Sequence, residues 1–475
     1  MAASSAPILP QQSEMAVGVA SIGVHFPRIL LPRKDRVDFQ KWAVVACDQY
    51  TSEDDYWQRV EQFVGPFPST LRLTFPEVYL GKGVDDDMIS RITQSMKAYE
   101  SEALFKETDT QGVVLVERTF RDGVRRRGLV LALDLDLYEF LPGNSAPIRA
   151  TEQTIVDRIP PRLKIRRAAT VELPHILVLF DDPDFSVIEP LAHLCADDPR
   201  LIYDTDLMEN SGHVKGWWID DRGSLSLLSD ALARLADPVA FNRRYGTSSK
   251  SPLVFAIGDG NHSLATAKAL WEETKCSLSA EGADFRHHPA RYALVEIQNC
   301  HDPSLQFEPI NRIIFNVKGG AQTVIDDLVA AFNASGEGPV VVLEGDSAYD
   351  AATRHNDVHG SRVESTSSSF GYVLMGKKGS VVIPKPKKVL PLASLTDFID
   401  DWLSKYPDCK IDYIHETTAI DRHCSPQDDM NIGFVLAPMN KGDLFKTVVF
   451  DGILPRKTFS MGQVKHYHKF NECKL

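Results

Sequence analysis

The stretch "PLVFAIGDGNHSLATAKALWEE", residues 252–273, constrains the fold more than any other part of the chain. Its apolar run "PLVFAIG" reads as a buried strand. Leu264, Ala267, Leu270 and Trp271 then recur at helical spacing directly behind it. A strand that passes into a helix through a glycine-flanked polar loop puts that loop at the strand's carboxyl end. The loop also stands in front of the first free N–H groups of the helix, the place where open α/β sheets bind ligands. Such a unit needs sheet neighbours on both sides and a layer to receive the helix, so a layered mixture of strands and helices is expected, not a bundle or a sandwich.

The rest of the chain agrees with that mixture. "GVVLVERTF" and "RRRGLVLALDLDLYEF" read as a hairpin turning at Asp122-Gly123. "HVKGWWIDD" and "SLSLLSDALARLAD" read as strand then helix, "ARYALVEIQN" as a strand and "GGAQTVIDDLVAAFNAS" as a helix. "FGYVLMGKKGSVVIP" reads as a second hairpin and "ASLTDFIDDWLSKY" as a helix, with late apolar segments at "MNIGFVLAPM" and "KTVVFDGILP". Residues 16–31 read as a short strand interrupted by Pro27. "WAVVACDQY" reads as a buried strand, followed by a helix with Ser52 as N-cap and Tyr56, Val60 and Phe63/Val64 on one face. "RLKIRRAATVELPHILVLFDDP" moves from a basic segment to an apolar strand.

A chain of 475 residues has material for one large elaborated domain or two or three ordinary ones. Residues 1–15 read as a disordered lead-in and 16–475 as a single α+β region. A soft internal boundary falls near 300–320, and an exposed Ser-rich loop covers 354–371. The net charge of −13 argues against nucleic acid and anionic lipid as partners. No run approaches the roughly 18 apolar residues of a membrane span. The opening residues lack the charged and apolar parts of a signal peptide. Seven scattered cysteines without a CxxC pair suit reduced thiols, so a cytoplasmic location is expected.

In the central loop, Gly258 and Gly260 permit backbone angles closed to other residues and leave room beside the main chain. Asp259 can act as a base or hold a metal ion, His262 can contact a phosphate or move a proton, and Asn261 and Ser263 can cap the helix or touch a ligand. The same letters also fit a plain Asp-Gly turn capped by Asn261 or Ser263. The loop is neither a P-loop nor a dinucleotide fingerprint.

Elsewhere, Glu152 stands among Arg149, Arg158, Arg162, Lys164, Arg166 and Arg167, the densest basic segment of the chain. Phosphoryl transfer needs cations on the moving group and a carboxylate to take a hydroxyl proton, which Glu152 with Arg149 and Arg158 would supply. The alternative is an exposed basic strand with weak ion pairs. Asp48, Gln49 and Tyr50 in "CDQYTS" either line the same cleft or start a capped helix, Glu77 reads as a surface or capping acid, and Cys47 as a small buried hydrophobe. "IHETTAIDRHC" lacks the second histidine of a metal helix, and "KHYHKFNEC" has no partner ligands.

"IGDGNHSLATAK" resembles the Asp-Gly-His-His-Arg type motif of a large family of uncharacterised proteins related to the ParB/sulfiredoxin-like free-serine kinases. Segments similar to that family recur in order at 29–57, 69–80, 148–182, 307–314, 411–415 and 454–461. The resemblance implies a ParB/sulfiredoxin-like α+β core with large mixed α/β elaborations. It further implies a phosphorylated ligand, with Asp259 and His262 at the phosphate and metal site and Arg312, in "EPINRII", as a phosphate contact; a buried ion pair is the alternative for Arg312. The chain departs from the commoner motif at Asn261, where a first histidine is usual, and at Ser263, where arginine is usual. The expected activity is a kinase moving a phosphoryl group from ATP, ADP or pyrophosphate to the hydroxyl of serine or a similar small metabolite. Asp259 would hold Mg²⁺ and Glu152 would be the base. The competing readings are a ParB-like nucleotide-binding switch, a phosphate-ester hydrolase and, weakest given the charge, a structural or DNA-binding role.

Overall fold

The apolar run ahead of the Asp-Gly-Asn-His loop is a strand, Phe255–Asp259, within a ten-stranded mixed sheet. The computed structural model describes residues 19–461 apart from 48, 51–52, 80–81, 84, 155–158, 196–199, 249, 355–366 and 415–416. Across the sheet the strands run Tyr138–Glu139, Ile148–Arg149, Phe255–Asp259, Leu177–Phe180, Tyr292–Asn299, Arg125–Asp134, Val113–Thr119, His213–Ile219 and Leu201–Asp206, and Val24–His25 pairs with the Arg125–Asp134 strand. Phe255–Asp259 lies parallel to Ile148–Arg149 and antiparallel to Leu177–Phe180, whose other neighbour, Tyr292–Asn299, is parallel to it. These central strands are buried along nearly their whole length, which is why they read as continuous apolar runs and not as alternations. Their core joins Leu129, Leu131, Val178, Phe180, Val295 and Ile297 to Leu264 and Trp271 of the helix Asn261–Ala280.

The expected hairpin pairs Val114 with Val130 through to Thr119 with Arg125, and Gly123 takes φ +82° in its turn. Pro27 interrupts the first strand as expected, with Val24–His25 before it and Leu30–Pro32 after it. Two expectations need correcting. The basic segment is a helix, Ile159–Ala168, not a strand. Among its described residues "WAVVACDQY" forms no strand beyond a single bridge at Val45: Trp42 closes a short helix, Phe39–Trp42, and Val44 and Val45 run buried through an otherwise irregular segment. Hydroxyls stand in for a neighbouring strand there. Thr70 Oγ1 donates to the Trp42 carbonyl at 2.7 Å and accepts from the Val44 N–H at 3.2 Å. Apolar periodicity reports burial, and here a side-chain hydroxyl satisfies two backbone groups where a longer ladder was expected.

The helix after it spans Asp54–Val64 with Glu53 at the N-cap; Ser52 lies outside the described residues, and Phe63 is exposed.

The chain divides into two compact units. Of the described residues, the first takes those up to Ala150 and from Thr154 to Ser304, and the second takes Thr151–Gln153 and those from Leu305 to Met461. The second unit is built on an antiparallel six-stranded sheet in the order Val341–Glu344, Lys377–Ile383, Ser368–Leu374, Ile432–Val435, Asn311–Phe315 and Lys410–Ile414. Its helices include Gln322–Ala334, Pro391–Lys405 and Lys441–Phe450, the last of them formed by "KTVVF". Of the Ser-rich stretch 354–371, residues 355–366 lie outside the described residues, and the second-unit hairpin already begins at Ser368. Among the described residues no helix is long and apolar enough to cross a membrane. The architecture is a mixed α/β one with several sheets.

Candidate functional site

Of the expected polar loop, Gly258 and Asp259 end the strand, Gly260 alone connects, and Asn261 begins the helix. Between Ile257 and Asp259 the register against Leu177–Phe180 shifts, and Gly258 sits in that irregularity. A Cβ at Gly258 would meet Leu179 Cγ at 2.9 Å, so the space beside this glycine is filled by the neighbouring strand. Gly260 turns the chain into the helix with φ +84°, a left-handed angle that favours glycine, against Ile176. The helix Asn261–Ala280 then begins without a side-chain cap from Gly260.

Asp259 is half-buried, and its Oδ1 accepts the Gly260 N–H at 2.8 Å. Asn261 is buried and His262 half-buried, with the His262 carbonyl accepting from Thr266 Oγ1 at 2.7 Å. Ser263 points to a residue that sequence reading passed over: its Oγ lies 2.8 Å from Nε2 of His175. His175 comes just before the Leu177–Phe180 strand, whose antiparallel pairing with Phe255–Asp259 brings its start beside the helix start.

Ser263 and His175 open onto a cleft of about 340 Å³ within the first unit. Ser263, Thr266 and Leu270 form one wall, spaced along a single face of their helix. The helix Ile159–Ala168 forms another through Arg162, Ile165 and Arg166, and Leu73, Phe75 and Met96 add apolar surface. Helical spacing sorts the basic residues. Arg162 and Arg166 face the cleft, whereas Lys164 pairs with exposed Asp86 and Arg167 with Glu273 at 2.7 Å, both near solvent. Each cleft arginine has a carboxylate: Arg162 bonds Glu77, and Arg166 Nη2 lies 2.5 Å from Glu172 Oε1. Glu77 is therefore no surface acid; it is half-buried on the cleft wall, where Cys47 also lies. Guanidinium groups, carboxylates and an imidazole–hydroxyl pair on an apolar floor form a surface suited to a small polar or phosphorylated ligand.

Asp259, Asn261 and His262 come just before Ser263 but are not among the residues that line this cleft, and the other expected site residues fall elsewhere. Arg149 is buried in its strand and spends its donors on the main chain, Nε on Ala146 O at 2.7 Å and Nη2 on Ser251 O at 3.1 Å. Burial lowers its guanidinium to about 10. Arg312, in the second unit, is 1% exposed and donates to the carbonyls of Ile310, Arg456 and Lys457; burial lowers it too, to about 10. It pairs with no carboxylate in those bonds. Both arginines tether backbone. Glu152 also belongs to the second unit, and burial raises its carboxyl while Lys457 pulls the other way. Asp48 and Arg158 lie outside the described residues.

Asp259 is a single carboxylate whose Oδ1 already accepts the Gly260 N–H, and among the described residues it belongs to no group of three metal-ligand side chains. Among the described residues, a group of three metal-ligand side chains occurs elsewhere, at Asp181, Cys300 and His301. Asp259 pairs with Leu177 at the start of the Leu177–Phe180 strand and Asp181 follows its end, so the two groups lie at opposite ends of that strand.

One family model, described as a protein of unknown function (DUF1015), matches residues 27–400. No curated protein matches. Among solved structures, a conserved hypothetical protein from Pyrococcus furiosus is similar at 11% identity and a TM-score of 0.31, over 70% of this chain and 89% of that one. A free serine kinase in complex with AMP is similar at 12% identity and a TM-score of 0.32, over 70% of this chain and 86% of that one.

Proposed function

Because the chain belongs to the DUF1015 family, whose description assigns no reaction, we propose its function from the cleft: it is a phosphotransferase that moves a phosphoryl group from a nucleotide or pyrophosphate to the hydroxyl of serine or a similar small metabolite. The observation that carries this reading is the meeting, in one cleft, of the first turn of the Asn261–Ala280 helix with Arg162 and Arg166. A helix start and arginine forks are the two commonest protein partners of phosphate oxygens. The motif resemblance at Asp259 and His262 supports the same chemistry.

In this reading Asp259 would hold Mg²⁺, which would neutralise charge on the phosphoryl oxygens. Arg162 and Arg166 turn from their carboxylate partners toward the donor, and His262 contacts the transferred group. The expected base, Glu152, belongs to the second unit and is not among the residues that line this cleft. Leu73, Phe75 and Met96 offer an apolar surface for a nucleobase, and a cleft of about 340 Å³ is within the range of small-ligand sites.

The test pairs ATP, ADP or pyrophosphate, each with Mg²⁺, against serine and a panel of hydroxylated metabolites, with products read by mass spectrometry. A phosphorylated product is expected, and Asp259→Asn should lower its rate by on the order of a hundredfold or more. Nucleotide binding without any product would move the protein to the switch reading. Phosphate release from serine phosphate without a donor would move it to the hydrolases.

A further inference from the structure

We propose that Ser263 is an activated nucleophile, with His175 as its base, and that it carries the phosphoryl group between donor and acceptor; this rests on the phosphotransferase reading of the same cleft. Ser263 Oγ and His175 Nε2 are 2.8 Å apart, within reach for direct proton transfer. The other ring nitrogen, Nδ1, faces the Leu173 carbonyl at 3.5 Å. A carbonyl only accepts, so a proton on Nδ1 suits that contact, and in this tautomer Nε2 presents its lone pair to the serine hydroxyl. Nucleophile, base and a third group that orients the base are the parts of an activated serine.

Three further features set this pair apart from a capping contact. Both side chains line the cleft and do not lie in packed core. Ser263 is the third residue of a twenty-residue helix, where main-chain N–H groups of the first turn face an anion placed before them. Arg166, held by Glu172, lines the same cleft as His175, so a guanidinium that can exchange its carboxylate for a phosphoryl group shares the site.

The reaction balances in two halves. Ser263 Oγ attacks the terminal phosphorus of the donor; the O–P bond forms as the bond to the leaving nucleotide or phosphate breaks, and the hydroxyl proton passes to His175 Nε2. His175 gives that proton to the leaving oxygen and is neutral again. In the second half the acceptor hydroxyl attacks the phosphoserine and loses its proton to His175, which returns it to Ser263 Oγ as that oxygen leaves. Ser263 and His175 end as they began.

The experiment uses the full-length protein in two arms. In the first, ATP, ADP or pyrophosphate with Mg²⁺ is added without acceptor, and peptide mass mapping locates any added phosphoryl group. In the second, a fluorophosphonate probe reports the nucleophilicity of Ser263 whatever the natural reaction is. The expected result is a phosphoryl group on Ser263, its transfer to added acceptor, and loss of product in Ser263→Ala. Probe labelling should slow by on the order of a hundredfold in His175→Gln. Product made at a rate within about twofold of wild type by Ser263→Ala would overturn the covalent route and leave the phosphotransferase intact, since a base alone contributes far more than that. Probe labelling of Ser263 with no product from any donor would keep the nucleophile and remove the proposed reaction. Absence of both labels on the wild-type chain would overturn the inference even if the variants fail to fold.

Discussion

Asp181 shows how far single-residue chemistry is set by neighbours. Burial pushes its carboxyl up, but the hydrogen bonds from His301 and Tyr245 and the charge of Arg244 outweigh burial and hold it below the ordinary carboxylate range. His301 Nε2 lies 2.6 Å from Oδ1, and the Tyr245 hydroxyl donates to Oδ2. A carboxylate whose folded value is depressed adds stability that is complete above its unfolded value, about 3.9, and is lost as pH falls through the folded value. Asp181→Asn should therefore cost about 2 kcal/mol near neutrality. The gap to wild type should close below about pH 4, as followed by urea denaturation across pH. A gap that stays constant to acid would show that the charge is not what stabilises. Little of this was legible beforehand: "FDDP" looks like an ordinary strand end, and its partners come from Tyr245 and His301, far along the chain. Ser263 was legible as a helix-start residue, whereas His175 was not.

At the scale of elements, the middle of the large sheet is tied by one ion pair. Arg118 reaches Glu296 through two bonds, at 2.8 and 2.6 Å, and both side chains are almost fully buried. Their strands are not adjacent; Arg125–Asp134 lies between them. The pair crosses that strand at Gly128, where a Cβ would overlap the Glu296 carboxylate. This glycine is thus required for a close approach, not for a turn. Gly128→Ala should cost about 1–3 kcal/mol by overpacking and by disturbing a buried pair. The lowered urea midpoint that this implies would be absent if the pair could swing aside. The sequence announced both hairpin strands and their turn, because alternation, burial and Asp-Gly are local signals. It could not announce the ion pair, which depends on strand order. The same distinction explains "WAVVACDQY", where burial was read correctly and ladder pairing was not.

At the scale of the whole molecule, the two units carry their own cores. In the second, Ile313, Val373, Ile420, Cys424 and Val435 pack together, separate from the cluster under the large sheet. Ile420 is fully buried on the helix Thr417–His423. Ile420→Ala should cost about 2–5 kcal/mol by leaving a cavity. Hydrogen exchange should then quicken across Asn311–Phe315 and Ile432–Val435 while the Tyr292–Asn299 strand keeps its protection. Equal acceleration in both sheets would mean that the units unfold as one.

The local pattern was enough to establish the strand, the glycine-flanked loop, the helix behind it and the mixed layering, because backbone angles, capping and apolar periodicity act over a few residues. Tertiary structure alone decided which polar groups share a cleft. It turned Arg162 and Arg166 inward on one helical face, committed Arg149 and Arg312 to main-chain carbonyls, and set His175 against Ser263 across 88 positions of sequence. Those meetings follow from the order in which strands join a sheet, and strand order is set by the packing of the whole core, which no short stretch of residues encodes.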